Sequence, residues 1–244
     1  MRPGFDESPF NPVPLVVWLL ALPVIASEAA FGLAQTGLLN TGLGGGLGGG
    51  QGSALAMRQI AAERTAFVPD IVLRMWSLGL FDPRQASRIL TYSFVHLSLV
   101  HALFVVVFTL ALGNMVASQF RPWAVVALFF GSAIGGALVY TLIAAMFPHW
   151  RMAPLIGGYP AVYGLVGAFT FLLWTRLGQQ NANRMRAFSL IGILLLFQLV
   201  FGLLFQDGSL YWVSEVAGFA TGFALSFALI PGGFQRIRRQ LRQR

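Results

Sequence analysis

Six long apolar stretches limit what this chain can fold into. They run from about Pro14 to Leu33, Val95 to Ala117, Trp123 to Phe147, Pro160 to Thr175, Ala187 to Phe205 and Tyr211 to Ile230. A helix rises about 1.5 Å per residue, so about 20 apolar residues cross the hydrocarbon of a bilayer. Five of the six approach or exceed that length. The fourth, near 16 residues, is too short to cross alone. The loop before it is therefore expected to dip inward, where protein or an enclosed cavity surrounds its backbone. With 57% hydrophobic and only 10% charged residues over 244 positions, the chain is too apolar for one water-soluble core. The fold class that follows is an all-α integral membrane protein, a six-transmembrane-helix bundle with a short fourth helix.

The chain divides into an N-terminal tail (1–13), a membrane domain (14–231) with a long first loop (34–94), and a basic C-terminal tail (232–244). Asp6, Glu7 and several prolines precede the first stretch, and no small-x-small site follows it. It therefore reads as a retained span rather than a cleaved leader. The long loop opens with a glycine-dense run from Gly42 to Gly52, unsuited to regular structure. Ala54–Arg64 and Val68–Leu80 then mix apolar residues with Arg58, Arg64 and Arg74, a pattern suited to short helices lying in the membrane interface.

All sixteen basic residues are arginine, and five of them (Arg236, Arg238, Arg239, Arg242 and Arg244) fall in the tail. A basic segment directly after a span fixes topology and touches anionic lipid. Nucleic acid is not an expected partner, because no aromatic residues interleave the charges. An even number of spans places both termini on one side. Ten arginines would share that side and six would face the other, mostly in the long loop, so both termini are expected in the cytoplasm and the protein in the cell membrane. Without cysteine, thiolate chemistry and disulfides are excluded. His149 and Arg151 read as an interfacial pair; with no carboxylate at ligand spacing, no metal site is expected.

Residues 157–168 read Gly-Gly-Tyr-Pro-Ala-Val-Tyr-Gly-Leu-Val-Gly-Ala, and 215–222 read Glu-Val-Ala-Gly-Phe-Ala-Thr-Gly. They resemble the two signature helices of rhomboid intramembrane serine proteases, G-x-S-G-A-x-[FY]-G-x-x-G and H-x-x-G-x-x-x-G. Ser87 to His96 resembles that family's W-R-x-x-T-x-x-F-x-H segment with Ser87 in place of tryptophan. The resemblance covers about residues 85–230 and implies a rhomboid-like bundle. His101 matches the oxyanion-side histidine, and Val105 stands where the family has asparagine. Tyr159 holds the serine position, Glu215 the histidine position, and Pro160 replaces a glycine. Tyr163 matches the aromatic that stacks under the catalytic histidine in the family. Gly157, Gly158, Pro160 and Tyr163 are expected to line the cavity. Gly164, Gly167, Gly218 and Gly222 are spaced three and four apart, so each pair faces one way and lets helix backbones approach.

Acyl transfer needs a hydroxyl that a neighbouring base can deprotonate and donors aimed at the oxyanion. A phenol has a pKa near 10 and carries its oxygen far from where a serine oxygen sits. A desolvated carboxyl tends to be neutral, and valine donates nothing. Losing serine or histidine alone costs on the order of 10⁶-fold in turnover. No catalytic residue is therefore expected, and Tyr159 reads as a plug. By resemblance to inactive rhomboid relatives, the expected work is binding transmembrane segments of client proteins for quality control, retention or handover. Spans two and five would form the lateral entrance, and no cofactor is implied. Two alternatives stand beside this reading. One is a rhomboid-type serine endopeptidase with a degenerate site. The other is an ion or proton pathway built on Glu28 and Glu215, the two carboxylates in or near spans. Glu215 is expected to bond Tyr159 or His101, or else to sit at the wet end of its span. Glu28 is expected to reach toward the headgroups.

Overall fold

The computed structural model describes residues 13–36, 51–194 and 211–231. Among the described residues, and besides a helix start at 189–194, the fold is carried by eight α-helices: α1 (Leu15–Gln35), α2 (Gln51–Thr65), α3 (Pro69–Leu78), α4 (Pro83–Thr91), α5 (Leu99–Ala117), α6 (Pro122–Met146), α7 (Tyr159–Gln179) and α8 (Tyr211–Leu229). Five of them, α1, α5, α6, α7 and α8, are long and apolar enough to cross a membrane. Apart from one isolated bridge, the described residues that are ordered into elements are helical. The expected fifth stretch is described only at its start, as a 3₁₀ turn over Arg184–Phe188 and helix from 189 to 194. Its remainder lies outside the described residues, as do both tails and positions 42–50 of the glycine run.

Sequence punctuation places the helix starts. Pro69, Pro83, Pro122 and Pro160 sit in first turns, where the absent N–H leaves nothing unpaired. Asp82 and Ser98 cap α4 and α5 by accepting the backbone N–H of Arg84 and His101. The fourth membrane helix is not short. α7 runs 21 residues, about 31 Å, because Arg176 to Gln179 prolong the helix past its apolar part. Likewise Gly52 lies inside α2, despite its place in the glycine run.

The core is built around α7, buried without interruption from Pro160 to Ala168. A helix apolar on every face belongs in the middle of a bundle, and α5, α6 and α8 all pack on it. The tightest seam is α7 against α8. A methyl added at Gly222 would strike the carbonyl oxygen of Gly164, and one at Gly218 the carbonyl oxygen of Pro160. These glycines are there because the two backbones touch. Gly167 meets the backbone of Phe219 in the same way.

The loop before α7 does run inward. Leu155 and Phe67 pair antiparallel, exchanging bonds of 2.7 and 3.0 Å, and Asp70 N–H donates to Arg151 O at 3.0 Å. Gly157 N–H then donates to Tyr92 O at 2.8 Å. The long first loop thus holds the segment that delivers Gly157 and Gly158, both buried, to the bundle centre.

Candidate functional site

The N-terminal ends of α5, α7 and α8 converge, bringing His101, Tyr159 and Glu215 into one neighbourhood with Tyr163 and Val105. The Tyr159 ring lies nearly flat on the His101 imidazole, 4.3 Å between centroids at 25°. His96 packs on His101 in a T-shaped arrangement, 4.8 Å between centroids at 82°. His101 Nε2 is buried and, among the described residues, has no hydrogen-bond partner. An oxyanion-side donor must face the space where the oxyanion develops; here the Tyr159 ring covers the imidazole.

Two glycines shape this floor. Gly157 has φ +102°, and a methyl there would sit 2.6 Å from His101 Cε1, so both its conformation and its space demand glycine. A methyl on Gly158 would come within 2.8 Å of Val105 Cγ1. Val105 is buried and packs where an amide side chain would have offered a donor. Pro160 is buried too, wedged between Gly136 of α6 and Gly218 of α8, which makes it a packing element of the helix start.

Glu215 is 5% exposed, so it does not sit at a wet helix end. Its charge is close enough to be felt at both Tyr163 and Tyr159. Tyr163 was the residue the sequence reading did not set beside it. Glu28 also departs from expectation. Arg58 grips both of its oxygens at 2.7 Å, with side chains only 12% and 11% exposed, so the carboxylate is paired inside the protein rather than turned to headgroups. An intramembrane carboxylate is costly unless paired.

Arg58 does more than neutralise Glu28. It donates to the carbonyl oxygen of His96 at 2.8 Å and lies over the Phe31 ring at 4.6 Å. His96 in turn accepts the Gly158 N–H on Nε2 at 3.0 Å. A continuous chain of contacts therefore leads from α1, through the first loop, to the residue preceding Tyr159. Burial above all, then the neighbouring His101 and Arg58, push the His96 imidazole down to about 3, so it is neutral and free to accept at Nε2. Burial pushes the Tyr92 phenol up, and its hydroxyl donates to Ala133 O at 2.8 Å. Sequence reasoning placed His96 in a motif without seeing this role. The only available signal was one lone arginine and one lone glutamate in an apolar region.

His149 is exposed and lies against Trp150, 4.1 Å between centroids, while Arg151 donates to Ala145 O at 3.0 Å; the two are not a working pair. Among the described residues no cluster of His, Asp or Glu could hold a metal ion.

An inward loop feeding a central helix, a glycine-lined seam between α7 and α8 and a histidine at the head of α5 define a polytopic membrane protein of the intramembrane-protease architecture. Residues 83–232 match the Rhomboid domain, and the chain belongs to the rhomboid family. It is similar to the Rhomboid protease GlpG of two Klebsiella pneumoniae strains, 27% identical over 165 residues, covering 65% of this chain and 55% of each relative. The chain thus spans about half the length of the curated relatives it matches.

Proposed function

We propose that this protein is a rhomboid-fold binder of client transmembrane segments that does not cleave them. The observation that carries the reading is the Tyr159 ring stacked on His101 at 4.3 Å, occupying the space a nucleophile and its scissile carbonyl would need. Beside it the family's histidine position is held by the buried Glu215 carboxyl, which lies near the Tyr159 and Tyr163 phenols and offers no imidazole. Val105 supplies no donor for an oxyanion. Similarity to a protease supports the scaffold and its lateral access to membrane helices; the side chains at the reactive positions argue against turnover. A proton pathway is disfavoured by the grip of Arg58 on both Glu28 oxygens, which ties that side chain into a fixed pair.

The test uses the full chain in detergent and in proteoliposomes. With a fluorogenic transmembrane substrate, no cleavage is expected above that of a Tyr159→Phe variant. A photo-crosslinker placed at position 159 in cells is expected to capture membrane proteins of intact length. Cleavage that disappears in Tyr159→Phe would establish the protease alternative instead. Proton flux abolished by Glu215→Gln would establish the pathway alternative.

A further inference from the structure

At the opposite end of the bundle from Tyr159, the C-terminal ends of α5, α7 and α8 frame a cleft of about 600 Å³, a size typical of small-ligand sites. Its lining changes character along its length. Phe169 and Leu172, both half-buried, supply an apolar wall beside Ile230, whereas Gln119, Arg176 and Gln179 are exposed and mark the mouth. Among the described residues no acidic side chain lines it and Arg176 is in no ion pair. Arg176 follows Tyr159 by 17 positions on one helix, so the two sites lie roughly 25 Å apart.

The geometry points to a binding site for one anionic phospholipid, its phosphate on Arg176 with the two glutamine amides and its acyl chain along Phe169 and Leu172. Each half of the lining accounts for one half of such a ligand. A guanidinium at the point where a helix leaves its apolar part pairs with phosphate by charge-assisted hydrogen bonds. Helix C-termini repel anions weakly, so the attraction must come from Arg176 itself. The nearest competing occupant is the chain's own tail, which begins directly after Ile230 and Pro231. That tail carries five arginines and no acid, so it is repelled by Arg176 rather than drawn to it. A free phosphate would leave the apolar wall unused. This site is independent of the client-binding reading.

Native mass spectrometry of the full chain from detergent, titrated with phosphatidylglycerol, phosphatidylcholine or inorganic phosphate, tests the proposal. One phosphatidylglycerol is expected to be retained, with phosphatidylcholine weaker and millimolar phosphate failing to displace it. Arg176→Gln should weaken retention roughly tenfold, the effect of losing one charge-assisted hydrogen bond. Arg176→Lys should restore most of it. Leu172→Trp, which fills the apolar wall and keeps the charge, should also lose the lipid. Replacing all five tail arginines by glutamine should leave that one lipid bound. Retention unchanged in both Arg176→Gln and Leu172→Trp, or lost only in the tail variant, overturns the site. Displacement by inorganic phosphate overturns the lipid and assigns the mouth to a free anion.

Discussion

Gly157 and His96 show how much of this site depends on single atoms. At Gly157 a side chain meets two penalties together. A φ of +102° is a region that L residues rarely adopt, and His101 lies 2.6 Å from the position of a methyl. Little room is left for His101 to retreat, since the Tyr159 ring stacks on it and the His96 ring meets it at 4.8 Å. Backbone strain alone is worth about 1–3 kcal/mol, so Gly157→Ala is expected to destabilise by at least that much in detergent unfolding. A variant as stable as the parent would mean the ring stack is loose. His96 allows a test by pH. Its folded value, about 3, lies below the ordinary 6.5, so the unfolded chain takes a proton that the folded one refuses. The stabilisation from the neutral, buried ring is complete above pH 6.5 and shrinks as pH falls toward about 3. At pH 4.5 the loss is about 2–3 kcal/mol. Acid acts on more of the molecule than this ring, so the measurement is a comparison. His96→Gln, whose amide oxygen can still accept the Gly158 N–H, should show a flatter decline between pH 6.5 and 4.5 than the parent. Parallel curves would refute the assignment.

The Arg58–Glu28 pair joins α1 and α2 and touches the His96 segment, so it acts between elements. Removing one member of a buried pair strands the other charge, at a cost of about 3–5 kcal/mol. Arg58→Ala is expected in that range, while the double variant Glu28→Leu with Arg58→Met should recover most of the loss. Failure of the double variant to recover would show that the bond to the His96 carbonyl, not the ion pair, is what matters. This link also marks where the sequence stops being readable. The spans were legible because apolar length is a local property, and the boundaries of α1, α5, α6 and α8 lie close to those of the apolar runs. The glycine spacing of α7 and α8 was legible because three- and four-residue spacing puts residues on one helix face. The full length of α7 was not, since Arg176 and Gln179 read as a loop until tertiary packing extends the helix through them. Glu28, Arg58 and Glu215 were visible as isolated charges, yet nothing local tells which distant group each will meet. Tyr163, a cavity aromatic by resemblance, lies close enough to Glu215 to feel its charge.

The whole molecule is a bundle with two ends that do different things, joined by α7. At one end lie Tyr159, His101 and Glu215; at the other, Arg176 and its cleft. Between them the helix is buried among close-packed neighbours, with its glycines fitted to the α8 backbone, so it has no loose joint through which a local change would travel. Effects at sites more than 7–10 Å apart with no shared partner usually add to within about 0.3–0.5 kcal/mol. The roughly 25 Å between Tyr159 and Arg176 makes Tyr159→Ala and Arg176→Gln such a pair, and their stability effects are expected to sum. Tyr159→Ala with Arg58→Ala is a different case. Arg58 touches His96, His96 touches both Gly158 and His101, and His101 carries the Tyr159 ring. These two share a network, and a coupling of about 0.5–3 kcal/mol is expected. Unfolding of the four single and double variants against the parent measures both cycles in one experiment. A coupling above about 1 kcal/mol between Tyr159 and Arg176 would mean that occupancy of one end is felt at the other. The bundle would then behave as a single switch, and lipid in the cleft would become a regulator of the client site.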